Sequence, residues 1–483
     1  MKEKISAYSK ISVSTIVNIV TGIIRTKLLA LILGVSGLGL YSQFTNFVGL
    51  LNFVVPLGLP FSLTKYISED DNPDIEQLSK MFRSSLVYIL ISSAIASLIL
   101  ILFSSDISKL LTNEVEYAYY IVIISLLVPF SFVVSLMEAF VRGMKNINLL
   151  TRLLVLTSVV SIVFTVVFVL LFGMTGAIIS IAGSSVVMLF IYIYYFKKNY
   201  PVKLVSKSFK LEGKNLRKFV NLGLASLAIG AINQISYLTV RIIAIDNLGV
   251  EANGIYQSVL AISLNYFSLM FVLIANYTLP KINSFKSDDE FRNEINETFR
   301  IFSYLLTPLI CIIIVLRILV VTILYSQDFT SAIELYKFQF LGDFFKVLAW
   351  VAGLWLIPKN RIRLWICIEL ITFTLFPVLF VVLIKIFDMD IAAASIAYLV
   401  ANVIHLIMNV FFLKKNLHFR FEIHNAKMFL YSVALLIIMI LISEAKVEIG
   451  YFILLPLLAL WFIIVSNQSE KKFVKELLIR IRR

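Results

Sequence analysis

Charge is scarce in this chain: Asp, Glu, Lys and Arg make up 15% of its 483 residues, and hydrophobic residues make up 60%. A soluble globular chain is roughly 25% charged and 45–50% apolar. A soluble domain is therefore excluded, and the chain reads as an all-α integral membrane protein. Cysteine and histidine are scarcer still, at two and three. Cys311 and Cys367 lie in apolar segments, which excludes a disulfide framework, and three scattered histidines leave no metal-ligand cluster. No glycine-rich loop carries the Lys and Ser/Thr that cradle nucleotide phosphates, and no nucleophile lies beside a base. The sequence thus points to a transporter without metal or cofactor, driven by an ion gradient or by consumption of its product. A cleavable signal peptide is also missing, so the first apolar run is expected to act as an anchor.

What the chain has in abundance is long apolar runs. A bilayer-spanning helix needs about 20 apolar residues, and fourteen candidates occur, from 11–33 to a short final pair at 427–443 and 450–466. The net charge of +14 is distributed unevenly. The termini and the even connections hold 34 Lys and Arg, and the odd connections hold only Lys109, Lys385 and Lys446. Cytoplasmic loops collect Lys and Arg, so both termini are expected in the cytoplasm. The positive charge is then a topology signal, and nucleic acid is not an expected partner. The outward connections are short, which argues against an enzyme that assembles sugars outside the cell.

The sequence also repeats. "LGVSGLGLY" at 33–41 returns as "LGVEANGIY" at 248–256, an offset of 215 residues. "MKNINLLTRL" (144–153) corresponds to "PKNRIRLWIC" (358–367), and "FGMTGAIISIA" (172–182) to "FDMDIAAASIA" (387–397). The repeat unit holds six helices, so the halves share one orientation. Transporters built from parallel repeats place substrate between the halves and alternate access by rocking one half against the other, which is the mechanism expected here. The expected organisation is a six-helix lobe at 1–199 and a basic cytoplasmic linker at 200–218, suited to anionic lipid. A second six-helix lobe at 219–416, an added helix pair at 427–466 and a basic tail at 467–483 follow.

"GIIRTKLLALILGVSGLGLYSQF" (22–44), with "PLGLP" (56–60) and "KYISE" (65–69), resembles the start of Wzx-type polysaccharide flippases. These belong to a superfamily that includes multidrug-toxin extruders and the lipid II flippase. The resemblance covers residues 1 to about 416. It implies a two-lobed helical transporter of the bacterial inner membrane, moving undecaprenyl-pyrophosphate-linked oligosaccharides from the inner to the outer leaflet. A capsule or O-antigen unit is the expected cargo. Lipid II, or a teichoic or exopolysaccharide precursor, ranks below it because the second-helix pattern of the lipid II flippase is absent. The chain is expected to be a monomer, with polysaccharide polymerase machinery as a neighbour. An ion-coupled drug exporter and a membrane polymerase or ligase are the competing readings.

Polar residues inside the apolar runs are the candidate site. Lys10, Ser14, Asn18, Thr21 and Arg25 share one helical face. Lys27 points about 200° away, along an apolar line. Ser226, Gly230, Gln234, Tyr237 and Arg241 form a comparable stripe in the seventh span. Under the repeat Arg241 aligns with Thr26, one residue from Arg25. The two arginines are expected to line a central cavity and bind pyrophosphate, for which guanidinium is suited. The structural alternative is that each pairs with an acidic neighbour or with helix-end carbonyls. Asn46 and Asn265 are candidate sugar contacts, as are Asn52 and Asn276. Asp246, Glu369 and Asp343 are the candidates for a proton or sodium site. Against that, Asp343 and Lys346 lie three apart and suit mutual neutralisation, as do Glu138 and Arg142. His405 fits a proton relay or a structural role. Arg317 is expected to snorkel from an outer helix end.

Overall fold

The computed structural model describes residues 2–69, 75–200, 213–274, 278–283, 285, 287–445 and 447–466. The expected linker and the tail therefore lie mostly outside the described residues. Those described are helical, with turns between. In chain order they are α1 (Lys2–Val54), α2 (Leu59–Glu69), α3 (Ile75–Leu102), α4 (Ser104–Thr112), α5 (Ala118–Gly143) and α6 (Ile147–Asn199). Next come α7 (Gly213–Leu248), α8 (Val250–Leu273), α9 (Leu279–Asn283), α10 (Asp288–Val315) and α11 (Arg317–Leu324). Last are α12 (Ile333–Gly353), α13 (Ile362–Phe387), α14 (Ala392–Leu417), α15 (Ile423–Ala445) and α16 (Val447–Val465).

Among the described residues, nine of these helices are long and apolar enough to cross a membrane. Two of them, α1 and α6, are pairs of spans joined without a loop. α1 turns at Gly34 (φ 67°) and α6 at Gly173 (φ 55°). Dividing both at those glycines gives one long helix for each of the fourteen expected spans. Lipid requires every backbone polar group to be bonded within the protein, which a helix achieves within one segment.

The backbone carries the 215-residue repeat. Left-handed residues are rare because a Cβ clashes with the carbonyl in that region. Here they recur in pairs at that spacing: Gly34 with Gly249, Lys145 with Asn360, and Gly173 with Asp388. Each pair falls within one of the quoted repeat matches. Positive φ therefore recurs at equivalent positions of the two copies, although ψ differs in the third pair, −128° at Gly173 and 39° at Asp388.

The chain divides into two compact units, Met1–Leu269 and Met270–Arg483, with the division inside α8. In the first, α1 packs on α6 and α7, α5 lies against α2, α3 and α6, and α7 also meets α2 and α4. Its interior includes rings from Phe82, Phe140, Phe196 and Tyr200, with centroids 4.8–5.5 Å apart. In the second, α12 lies between α10 and α14, and α13 packs on α14. The added pair is bound to this unit, with α15 and α16 both against α10. Its polar ties are explicit. Asn425 Nδ2 donates to the Asn296 carbonyl at 3.0 Å and to Asn296 Oδ1 at 3.1 Å. Arg300 donates to Asn425 Oδ1 and to the Val465 carbonyl, both at 3.2 Å.

Large apolar side chains stand outward along the helices, including Leu98, Leu170, Phe190, Ile407, Phe411, Phe452 and Leu455. A water-soluble protein rarely exposes contiguous apolar surface of this kind. Along α1, on the apolar line beside Lys27 that is expected to face lipid or packed neighbours, Ile16, Val20, Ile24 and Leu31 are exposed and Ile23 is half-buried.

Candidate functional site

From Asn18 to Arg25 the polar stripe of α1 faces α6, and the side chains of Lys10 and of Ser226 in the second stripe lie outside the described residues. Arg25 Nη1 donates to Ser161 Oγ at 3.2 Å, and Asn18 Oδ1 accepts from Ser158 Oγ at 3.5 Å. Thr21 turns its hydroxyl back to the Val17 and Asn18 carbonyls. Arg25 is partly exposed and Asn18 is exposed, so the stripe is lined by hydroxyls without being sealed by them.

Arg241 on α7 is only 3% exposed. Its Nη1 donates to Ser42 Oγ at 2.7 Å and to Asn253 Oδ1 at 3.0 Å, and its Nη2 donates to Gln257 Oε1. Its Nε has no hydrogen-bond partner. All three acceptors are neutral. Among the described residues, neither arginine has a carboxylate partner, so the ion-pair form of the structural alternative does not hold for them. Burying a charge without a counter-charge costs several kcal/mol. Ionisable groups that persist inside a membrane protein on those terms mark functional sites by default.

The two guanidiniums stand at comparable distances from their turns. Arg25 lies nine residues before Gly34 and Arg241 eight before Gly249. At 1.5 Å per residue these are about 13 Å and about 12 Å along the helix. They share no partner: Arg25 is tied to α6, and Arg241 to α1 and α8.

Gln234, about two turns before Arg241, donates from Nε2 to the Asn46 carbonyl at 3.4 Å. Gly49 admits this contact, since a Cβ there would stand 2.2 Å from Gln234 Nε2. The Asn46 Oδ1 is buried without a hydrogen-bond partner, and Tyr237 is buried. The Asn52 Oδ1 accepts from Ser131 Oγ at 3.3 Å. The side chain of Asn265 and all of Asn276 lie outside the described residues.

The candidate acids separate. Asp246 is exposed at the end of α7. Glu369 and Asp343 are both buried in the second unit. Glu369 Oε1 is 3.8 Å from His405 Nε2 and accepts from Trp365 Nε1 at 3.2 Å, while its Oε2 is buried without a hydrogen-bond partner. Asp343 Oδ1 accepts from the Tyr398 hydroxyl at 2.7 Å. Lys346 places its ammonium 5.2 Å from the centre of the same Tyr398 ring. Helices α12, α13 and α14 thus bring two acids, a lysine and a histidine into one buried cluster. Glu138 and Arg142 form the expected ion pair.

Two features differ from the sequence reading. Arg317 does not snorkel: it is 4% exposed and donates to the Ile314 and Ser443 carbonyls. The packing of α15 covers it and supplies the Ser443 acceptor. The partners of Arg241 were also missed, although a signal existed. Gln257 is the repeat counterpart of Ser42, and Asn253 stands where the first copy has Leu38. A polar residue replacing an apolar one within an otherwise kept motif marked that position.

The long helices with matched left-handed turns and the acid-free intramembrane arginines define a class, the multi-helix membrane transporters. Two solved structures share the fold. An inward-facing multidrug resistance transporter of the MATE family is matched over 84% of this chain and 94% of its own, at a TM-score of 0.75 and 15% identity. The lipid II flippase MurJ in an inward closed conformation is matched over 96% and 99%, at 0.74 and 16%. In sequence, the lipid III flippase of Escherichia coli (strain K12) is 26% identical over 367 residues, spanning 75% of this chain and 87% of that protein. The polysaccharide biosynthesis protein family matches residues 7–286. The chain belongs to that family, and its relatives are flippases and transporters rather than enzymes.

Proposed function

We propose that the protein is a flippase for undecaprenyl-pyrophosphate-linked oligosaccharides, carrying an O-antigen or capsule repeat unit from the inner to the outer leaflet of the bacterial inner membrane. The observation that carries this reading is the pair of intramembrane guanidiniums, Arg25 and Arg241, without a carboxylate partner. A pyrophosphate headgroup supplies the missing negative charge and accepts several hydrogen bonds, the arrangement guanidinium favours. Hydroxyl and amide groups on the same faces, from Asn18, Gln234 and Tyr237, suit a hydrated sugar. A carrier of cationic drugs, the runner-up on this fold, would place carboxylates where these arginines stand. The similarity to a lipid III flippase supports cargo of the lipid-linked class.

For the driving force, the buried Glu369–His405 contact is the best-placed group for proton coupling. Asp246, at an exposed helix end, is poorly placed for it. Sodium is less suited to a cluster that already holds the Lys346 ammonium.

The test is a strain lacking the gene. It is expected to accumulate complete, unexported lipid-linked units, and the wild-type gene restores export. Arg241→Ala and Arg25→Ala at normal membrane abundance are expected to restore about a tenth of it or less, the loss of one charge-assisted bond. Full export by both Ala variants would refute the pyrophosphate role.

A further inference from the structure

Helices α14 and α15 follow one another in the chain with only five residues (418–422) between them, yet they lean on different neighbours. α14 packs on α12 and α13, and α15 on α10 and α16. The two therefore part, and a groove of about 650 Å³ lies between them. Its floor is aromatic: Phe299 of α10 and Phe345 of α12, with Phe421 from the connection and Phe429 from α15. The Phe299 ring centre stands 5.0 Å from that of Phe421 and 5.9 Å from that of Phe429, and the Phe345 ring stands 6.2 Å from that of Phe429. Rings that pack on one another hold each other in place, so the groove is built into the fold. Its lips are Ile407 and Phe411 on α14 and Leu430 on α15, all more than half exposed. Among the described residues that line it, Lys414 alone carries a charge. Lys414 lies in the last turn of α14, at the end that the Lys and Arg distribution assigns to the cytoplasm. Along α14 the lining runs from Val403 to Lys414, which is about 17 Å at 1.5 Å per residue. One leaflet of a bilayer has about 15 Å of hydrocarbon.

We propose that this groove is a binding site for an acidic phospholipid of the inner leaflet, with an acyl chain along α14 and the phosphate held by Lys414. An apolar groove that opens on hydrocarbon is filled by a chain from the bilayer, because an empty one leaves its lining without contacts. Its length selects a chain that ends within one leaflet. A phospholipid has such a chain, and the far longer undecaprenyl tail of the proposed cargo does not. Charge selects the headgroup. The segment 414–427 holds Lys414, Lys415, Arg420 and Lys427 against a single acid, Glu422, and all five are exposed. α15 begins in this segment with no acid in its first turn, so the positive end of its dipole favours an anion as well. Basic pockets between membrane helices on the cytoplasmic side bind acidic lipid headgroups. The residues of α14 that line the groove lie on the face opposite His405. A lipid here therefore braces α15 against the helix that carries one side of the buried Glu369–His405 contact. The inference rests on the membrane reading and is independent of the cargo.

The experiment uses the full-length protein, purified in detergent and stripped of lipid. It is given phosphatidylglycerol or phosphatidylcholine carrying the same photoactivatable acyl chain, and the cross-linked residues are read by peptide mass spectrometry. The acidic lipid is expected to label 403–411 and 429–430 several-fold more than the neutral one. Lys414→Gln is expected to remove that preference. Lys385→Gln, which changes an exposed cation in the last turn of α13, is expected to keep it. Equal labelling by the two lipids, or a preference that survives Lys414→Gln, would overturn the site. So would displacement of the photolipid by an equal amount of undecaprenyl phosphate, which would assign the groove to the carrier lipid. Thermal unfolding gives a second readout. Phosphatidylglycerol is expected to raise the Tm of the wild type several degrees more than phosphatidylcholine does, and to raise that of Lys414→Gln no more than phosphatidylcholine does. The same Tm gain from both lipids in the wild type would also overturn the site.

Discussion

Arg241 concentrates the chemistry at the scale of single residues. Its position in a polar stripe was legible in the sequence, because a cation within an apolar run is conspicuous and helical spacing gives its face. Its partners were not, because Ser42 lies 199 residues away and only packing brings it within 2.7 Å. The same holds for Glu369. It stood out as an intramembrane acid, but its neighbour His405 comes from the next helix. A carboxylate beside an imidazole can pass a proton, and an amide cannot. Glu369→Gln is therefore expected to leave the protein in the membrane while export loses its response to a proton uncoupler. The measurement is glycan export with and without uncoupler. A Gln variant that responds as the wild type does would remove Glu369 from the coupling path.

Among the helices, sequence reading was most successful for the spans and the repeat. Spans are legible because lipid tolerates little except long apolar helices, and the repeat because "LGV" and the glycine six residues into each motif survive in both copies. The continuous α1 and α6 were not foreseen: a left-handed glycine lets two spans join without loop residues. The fate of α15 and α16 was likewise hidden, since their apolar sequences fit lipid as well as protein. Their attachment runs through Asn425 and Asn296 on α15 and α10. Asn425→Ala leaves buried acceptors on Asn296 and removes the Arg300 contact, a loss of about 1–3 kcal/mol. A thermal unfolding scan of the purified protein in detergent is expected to show a Tm several degrees lower. An unchanged Tm would mean that apolar packing alone holds the pair.

For the whole molecule, composition was enough to recognise a membrane protein, and the repeat to recognise a transporter. Fold neighbours at 15–16% identity do not separate multidrug from lipid-linked cargo, since one of each is found at nearly the same TM-score. On the proposed reading a few charges on a shared frame distinguish the two, and among the described residues Arg241 is buried and Arg25 half-buried, neither with a carboxylate partner. The most direct measurement is reconstitution in vesicles with undecaprenyl-pyrophosphate-linked oligosaccharide, read by the access of an external lectin to the sugar. Wild-type protein is expected to equilibrate the lipid between leaflets, and Arg241→Ala, folded and reconstituted equally, to slow it about tenfold or more. Equal rates for the two proteins, or no movement by the wild type under an imposed proton gradient, would contradict the assignment.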